Sequence, residues 1–465
     1  MSKTDRRHFI RNLTLGTGAI ATSLNSHDSF AYPATPMATN MSGFSAEKMD
    51  KVRIGFIGLG MRGSDAVQRI GFIENVEIKA ICDKFPDRVQ KANAGLAKAG
   101  LPAAKGYDGN DGWKAMLENE DLDLVYICTP WSLHTPMAVA AMKSGKHAAT
   151  EVPAARTIEE CWQLVETSEK TKKHCMMLEN CCYDFFELLT LNMARNGMFG
   201  ELLHVEGAYI HDLRSLNFAK DGYADMWRLK ENATRNGDLY PTHGLGPIAQ
   251  CLNVNRGDRM DHLVSMSTND FQMGLMAKEK AATDDFYKEF VGKNYRGNMN
   301  TTMIRTEKGK TIMVQHDVTS PRPYSRIHLI SGTKGVAQKW PSPAKIALGH
   351  EWVKAEEFKA LEEKYTPPIV KHIGEIAKNV GGHGGMDFIM DWRLIDCLRN
   401  GLPLDQDVYD AALWSSISPL TEASVAKRSR TVDVPDFTRG KWKTNTPHTL
   451  SLEGGGTTTV RNVPK

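Results

Sequence analysis

The chain has 465 residues, 41% of them apolar and 24% charged, with a net charge of +3. That is ordinary globular composition, long enough for two domains, and no basic block argues for nucleic acid or a membrane surface. The eight cysteines show neither a CxxC pair nor zinc spacing, so no metal site is expected and the thiols read as free and mostly buried.

Residues 1–31 carry the first signal. Arg6-Arg7 precede an uncharged, mildly apolar run from Leu13 to Leu24 that is too short to span a bilayer, and "SFA" at Ser29–Ala31 offers a small-residue cleavage site. This reads as a twin-arginine export signal, which carries proteins already folded, often with a cofactor inside, and the expected destination is the periplasm. The alternative is a basic N-terminal tail with a chance arginine pair. No other stretch approaches 18 continuous apolar residues, so no transmembrane segment is expected in the mature chain.

Residues 50–180 read as a doubly wound α/β domain. Val52–Ile57 is a short β-branched run, a buried parallel strand by pattern. Gly58, Gly60 and Gly63 follow as GxGxxG, and a helical segment runs from Ser64 to Ile70. The glycines permit a tight turn and close backbone approach, and the helix N-terminus favours a pyrophosphate. A second strand, "VEIKAICD", ends at Asp83, where a carboxylate accepts from a ribose 2'-OH and repels a 2'-phosphate. NAD is therefore favoured over NADP, with Lys84 a mild counterweight. Strands in "LDLVYICTP" and "KHAATE" continue the alternation, with "WSLH" at Trp131–His134 between them.

Residues 181–440 change character. Alternating apolar residues at 202–211, 262–268, 299–305, 311–318 and 326–331 predict a large open, mainly antiparallel sheet in a second, α+β domain, with a hairpin turn at 306–311. The polar stretch 276–297 reads as an insertion or loop. The segment "GGMDFIMDWRLIDCLRNG" reads as a late helix returning to the first domain, and residues 441–465 as an extended or disordered arm.

GxGxxG, "ICTPWSLHTPMAVAAMKSGKHAATEVPAA" and "ARNGMFGELLHVEGAY" resemble the oxidoreductases named for glucose-fructose oxidoreductase and inositol dehydrogenase, over roughly residues 52–435. That resemblance implies a nicotinamide facing the open sheet of the second domain. Two departures stand out. Those dehydrogenases carry Glu-Lys-Pro where this chain has Glu151-Val152-Pro153, and an Asp four residues before a His where this chain has Leu239 before His243. Two ionisable groups of the dehydrogenase site are apolar here. "GLGMRG", "CTPWSLH", "TEVPAA", "GDLYPTHGLGP" and "GGHGGMDF" further resemble glycoside hydrolase family 109, whose characterised members are similar in being NAD-dependent α-N-acetylgalactosaminidases.

This second resemblance implies a redox-assisted hydrolysis rather than two-carboxylate catalysis. Hydride leaves C3 of the sugar for NAD, the C3 ketone acidifies the C2 proton, elimination expels the C1 substituent, water adds at C1, and the hydride returns. The cofactor ends as NAD, so an exported enzyme needs no cofactor pool. The resemblance places cofactor contacts at Met61, Arg62, Asp83, Trp131, Ser132, Leu133, His134, Glu151, Val152 and Asn180, besides the glycines. It places sugar contacts at Tyr209, Arg228, Tyr240, Pro241, Thr242, His243 and Tyr324. The catalytic candidates are His243, Tyr240 and His383, because His titrates near neutrality and a Tyr beside a cation can relay a proton. His211 is a weaker candidate, and Trp227 reads as packing. Two other readings stay open: an exported sugar oxidoreductase with a captive cofactor, and a non-catalytic sugar-binding protein. The partner is a glycan or glycoside, with a homo-oligomer possible.

Overall fold

A computed structural model describes residues 35–447 and 450–461. The paired-arginine segment lies outside them. Six strands form the first sheet: β1 (Val52–Ile57), β2 (Val76–Asp83), β3 (Lys105–Asp108), β4 (Leu124–Ile127), β5 (His147–Thr150) and β6 (Cys175–Met177). All pair in parallel in the order β3-β2-β1-β4-β5-β6. The order reverses between β1 and β4, so the crevice beyond their C-terminal ends is the binding edge. The helices of this part are α1 (Met61–Ile70), α2 (Pro86–Lys98), α3 (Gly112–Asn119), α4 (Trp131–Lys143) and α5 (Ile158–Thr171). Strands β1, β4 and β5 are buried almost throughout, as parallel strands covered on both faces must be.

Two strands had no clear signal in the sequence. β3 ("KGYD") is a polar, largely exposed edge, and β6 ("CMM") is three residues without β-branching. The first helix starts at Met61 rather than at Ser64, so its N-terminus lies inside the glycine motif.

The second sheet has eight strands: β7 (Leu202–Ile210), β8 (Met260–Ser267), β9 (Asn300–Thr306), β10 (Thr311–Asp317), β11 (Leu329–Gly332), β12 (Val336–Gln338), β13 (Lys345–Ala347) and β14 (Val432–Asp433). Their order is β13-β12-β11-β7-β10-β9-β8-β14. All neighbours are antiparallel except β7 and β10, which run parallel. The strand expected at 326–331 begins only at Leu329, because Ile327 and His328 take positive φ values of 58° and 49°. Around the sheet lie α6 (Phe185–Arg195), α7 (Arg214–Asn217), α8 (Trp227–Asn232), α9 (Thr242–Cys251), α10 (Met273–Ala281), α11 (Ala355–Tyr365), α12 (Pro368–Val380), α13 (Met386–Asn400) and α14 (Val408–Ala426).

The stretch expected to be a loop at 276–297 instead holds most of α10 and a 3-10 turn, Asp285–Phe290. Its charges sit outside, while Met273, Ala277, Tyr287, Phe290 and Tyr295 join Phe218, Met226 and Leu229 in a small separate core. Helix α13 packs on the first sheet's side: Arg69 in α1 and Tyr126 in β4 both donate to Asp391. Residues 450–461 run extended, with Val460 bridging to Ile73 and Thr458 accepting from the Trp392 indole. All eight cysteines are free, and all but Cys128 are buried.

Candidate active site

Strand β1 delivers the chain into the glycine turn at the sheet's C-terminal edge. Gly58 sits at φ +91°, and a Cβ there would lie 2.6 Å from the Cys128 carbonyl oxygen. A Cβ on Gly63 would lie 1.7 Å from the Gly58 carbonyl oxygen, so this glycine closes the turn rather than touching a ligand. Gly60 is different: a Cβ there would meet only Arg88 Nη1, at 3.6 Å. It precedes α1 with no side-chain cap, which leaves the helix N-terminus free to bind an anion. Asp83, at the end of β2, accepts from the backbone N–H of Leu59 at 2.6 Å and of Phe85 at 2.9 Å, with Arg88 3.5 Å away. The turn, the free helix end and this carboxylate fit a dinucleotide whose adenosine ribose carries a free 2'-OH.

This edge opens into a cavity of about 950 Å³ between the two sheets. Its first wall is Gly58, Gly60, Met61, Arg62, Asp83, Trp131, Ser132, Leu133, His134, Glu151, Val152 and Asn180. Its second wall includes Tyr209, Arg228, Tyr240, His243 and His383, along with His211 and Trp227. Gly63, Pro241, Thr242 and Tyr324 lie outside it. Thr242 is fully buried, Pro241 precedes α9, and Tyr324 packs edge-on against His211 and Tyr209. His134 borders the cavity, but its two ring nitrogens face the carbonyls of Pro153 and Thr129.

Glycines also seat the second wall. A Cβ on Gly244 would lie 2.3 Å from the Ala208 nitrogen, and one on Gly207 would lie 2.2 Å from the Gly244 carbonyl oxygen. Helix α9 can therefore lie directly on β7. That contact brings the rings of His243, Tyr240 and Tyr209 within 4.9–5.1 Å of one another, centroid to centroid. Trp131 stacks on Tyr240 from the first wall.

Arg228 is buried and has no carboxylate partner among the described residues. It donates to the Tyr223 hydroxyl at 2.8 Å and lies 4.7 Å from the Tyr240 ring and 5.3 Å from the Trp131 ring. The cation beside the tyrosines does not lower their pKa below the usual value. Burial pushes Tyr209 up to about 12 and Tyr240 well above its usual value, and Arg228 only partly opposes this. Both phenols stay protonated at neutral pH and act as hydrogen-bond donors.

Sequence reasoning missed three acids. Asp387 is buried and collects Arg62 at 2.8 Å, His383 Nδ1 at 2.9 Å, the Asn180 amide and, at 3.6 Å, Arg69. Arg62 also pairs with Glu151 at 2.8 Å. Burial alone would raise Asp387, but the His383 hydrogen bond and the two arginines hold it far below the usual carboxylate range. His383 is thus tied to this hub at the cavity lip, more than half exposed, and Asn180's amide nitrogen is engaged before any cofactor arrives. The i, i+4 spacing of His383 and Asp387 was a legible signal.

Asp238 lies beneath the Tyr240 turn, where burial pushes it up to about 7. It accepts from the Tyr240 N–H at 3.0 Å. Glu179, fully buried just before Asn180, meets His243 Nδ1 at 2.7 Å. Glu179, Cys181 and His243 also place one potential metal-ligand atom each within 4.8 Å of one another.

A parallel Rossmann sheet whose binding edge faces an open, mainly antiparallel sheet defines a two-domain protein built around a dinucleotide-binding fold. Residues 52–179 match the family model for the oxidoreductase family NAD-binding Rossmann fold, and residues 183–444 match glycosyl hydrolase 109, C-terminal domain. The chain is 53% identical over 88% of its length to a Bacteroides fragilis α-N-acetylgalactosaminidase, covering 97% of that protein. It is 52% identical over 85% of its length to a Porphyromonas gingivalis glycosyl hydrolase family 109 protein, covering 86% of it. The chain belongs to glycosyl hydrolase family 109. Among solved structures, levoglucosan dehydrogenase in complex with NADH and L-sorbose shares the fold at TM-score 0.61 and 19% identity, over 83% of this chain and all of that one. Aldose-aldose oxidoreductase from Caulobacter crescentus does so at TM-score 0.58 and 16% identity, with the same coverage.

Proposed function

We propose that this protein hydrolyses terminal α-N-acetylgalactosaminides with a captive NAD, and that it is exported by the twin-arginine route. The observation that carries the reading is the makeup of the cavity. Val152 and Leu239, at the dehydrogenase acid–base positions, are buried and apolar, while His243 stays at the wall. The two ionisable groups of a dehydrogenase site are replaced by apolar ones, yet His243 remains at the wall as a base for a carbon acid.

Gly58, Gly60, Met61, Arg62, Asp83 and the Trp131–His134 turn would hold the cofactor. Bound NAD supplies reversible hydride acceptance at C3 of the sugar. The chain's own residues supply the rest. Arg228, which lines the cavity without a carboxylate partner among the described residues, forks onto sugar hydroxyl or acetamide oxygens. The protonated phenol of Tyr240 donates to a sugar oxygen. Tyr209 takes the C3 hydroxyl proton as it passes its own to His211 Nδ1, 3.0 Å away, and reverses this on re-reduction. His243 takes the C2 proton and returns it. A regenerated cofactor suits a protein exported away from the nicotinamide pool.

The test is turnover of a chromogenic α-N-acetylgalactosaminide in deuterated water. The released sugar is expected to gain deuterium at C2 and to keep its own hydrogen at C3. Denatured protein is expected to release close to one NAD per chain. Turnover without C2 exchange by nucleotide-free protein refutes the mechanism, and NADP in the supernatant favours a sugar oxidoreductase.

A further inference from the structure

His243 is the base of the proposed reaction, and no acid on its own segment orients it, since the position four residues before it is Leu239. Tyr240 packs edge-on against the ring, but the hydrogen-bond partner comes from elsewhere. We infer that Glu179 is a positioning residue for His243: its carboxylate, reaching from the turn after β6, keeps the imidazole proton on Nδ1 and leaves Nε2 as the acceptor for the substrate proton. The inference rests on the proposed elimination.

Glu179 Oε1 lies 2.7 Å from His243 Nδ1, across 64 residues of sequence. The carboxylate is fully buried, while His243 reaches the cavity with 14% of its side chain exposed. An ionised carboxylate only accepts hydrogen bonds, so the ring must present N–H at Nδ1. Among the described residues no hydrogen bond is made to Nε2. Burial alone would raise Glu179, but the neighbouring His243 imidazole and the Cys181 N–H, which donates to the same oxygen at 3.1 Å, hold it below the usual carboxylate value. Its stem and backbone are closely held. A Cβ on Gly246 would lie 2.9 Å from Glu179 Cγ, and Glu179's own carbonyl accepts from Gln406 at 3.1 Å. The same charge stabilises the imidazolium formed when His243 takes a proton, the role of the acid in acid–histidine dyads.

A metal held by Glu179, Cys181 and His243 is the competing use of these residues. Two of the three are already hydrogen-bonded to each other, and burial lifts the Cys181 thiol well above its usual value, away from the thiolate a metal needs. The other titratable groups facing the imidazole are Tyr209 from β7, His211 just beyond its end, and Tyr240 from its own loop.

The test has two parts. In wild-type NAD-loaded protein with ¹⁵N-labelled histidine, the neutral His243 ring is expected to carry its proton on Nδ1. A proton on Nε2, or activity abolished by EDTA and restored by zinc or manganese, overturns the inference. Glu179→Gln is expected to lower kcat by on the order of 10²-fold or more, with KM changed little. It should move the acid limb of kcat/KM to lower pH, because the charge favouring imidazolium is gone, and raise the C2-deuterium isotope effect. Glu179→Asp should restore part of kcat. If wild-type protein shows C2 exchange but Glu179→Gln keeps kcat, acid limb and isotope effect, Glu179 does not position the base. If wild-type protein shows no C2 exchange, the elimination itself fails. If Glu179→Gln does not fold, the wild-type tautomer and the Glu179→Asp profile decide.

Discussion

Asp387→Asn tests the hub that joins α1, β5, β6 and α13. The substitution keeps the shape and removes the charge that Arg62, Arg69 and His383 share. One Asn oxygen can still accept, but its NH₂ must face donors. Asp387 is 1% exposed and Arg69 5%, so the loss resembles breaking a buried ion pair, about 3–5 kcal/mol. With an unfolding entropy of roughly 2.1 cal/mol/K per residue, a chain of this size loses about 3–5 °C in Tm. The sign with pH follows from the depressed pKa. The carboxylate's contribution is present above the unfolded value of about 3.9 and is lost only as pH falls through the lower folded value. The Tm gap between wild type and variant should therefore be flat from pH 5 to 8. Thermal denaturation of NAD-loaded protein across that range measures it, and the nucleotide content of the variant should fall as Arg62 and Asn180 lose their anchor. A gap below about 1 °C, or one that closes by pH 5, refutes the reasoning.

Asp83→Ala removes a ribose acceptor and frees the Leu59 and Phe85 N–H groups; NAD affinity should fall by roughly 1.5–3 kcal/mol, with activity rescued by added NAD, and an unchanged affinity would remove Asp83 from the ribose. Gly63→Ala should empty the protein of nucleotide or prevent folding, because its Cβ would lie 1.7 Å from the Gly58 oxygen, and a loaded, stable variant would contradict that geometry. Asp238→Asn keeps the acceptor for the Tyr240 N–H. Because burial raises Asp238 to about 7, wild-type stability falls as pH rises from the unfolded carboxylate value to that point. The variant's advantage in Tm should grow from pH 5 to 7 and then level off, and a pH-independent difference would count against the raised value.

Local pattern was enough for much of this molecule. A β-branched run into GxGxxG, a second strand ending at Asp83, and the change to period-2 alternation after residue 200 depend only on neighbours in sequence, so both sheets were legible. So was the apolar character of Val152 and Leu239, since a missing ionisable group needs no structure to be seen. Edge strand β3, three-residue β6 and the helical stretch 276–297 were not legible. Each is made by what packs against it: a parallel neighbour in the first two, and the Phe218–Leu229 cluster in the third. The same holds for the base. Nothing in "MLENCC" marks Glu179 as more than a lone acid at a strand end. It gains meaning only when Gly207 and Gly244 let α9 settle on β7 and carry His243 to within 2.7 Å of it. Hydrogen bonds act over ångströms and not over residues, so sequence determined which chemistries were available, and the tertiary contact decided which acid orients which base.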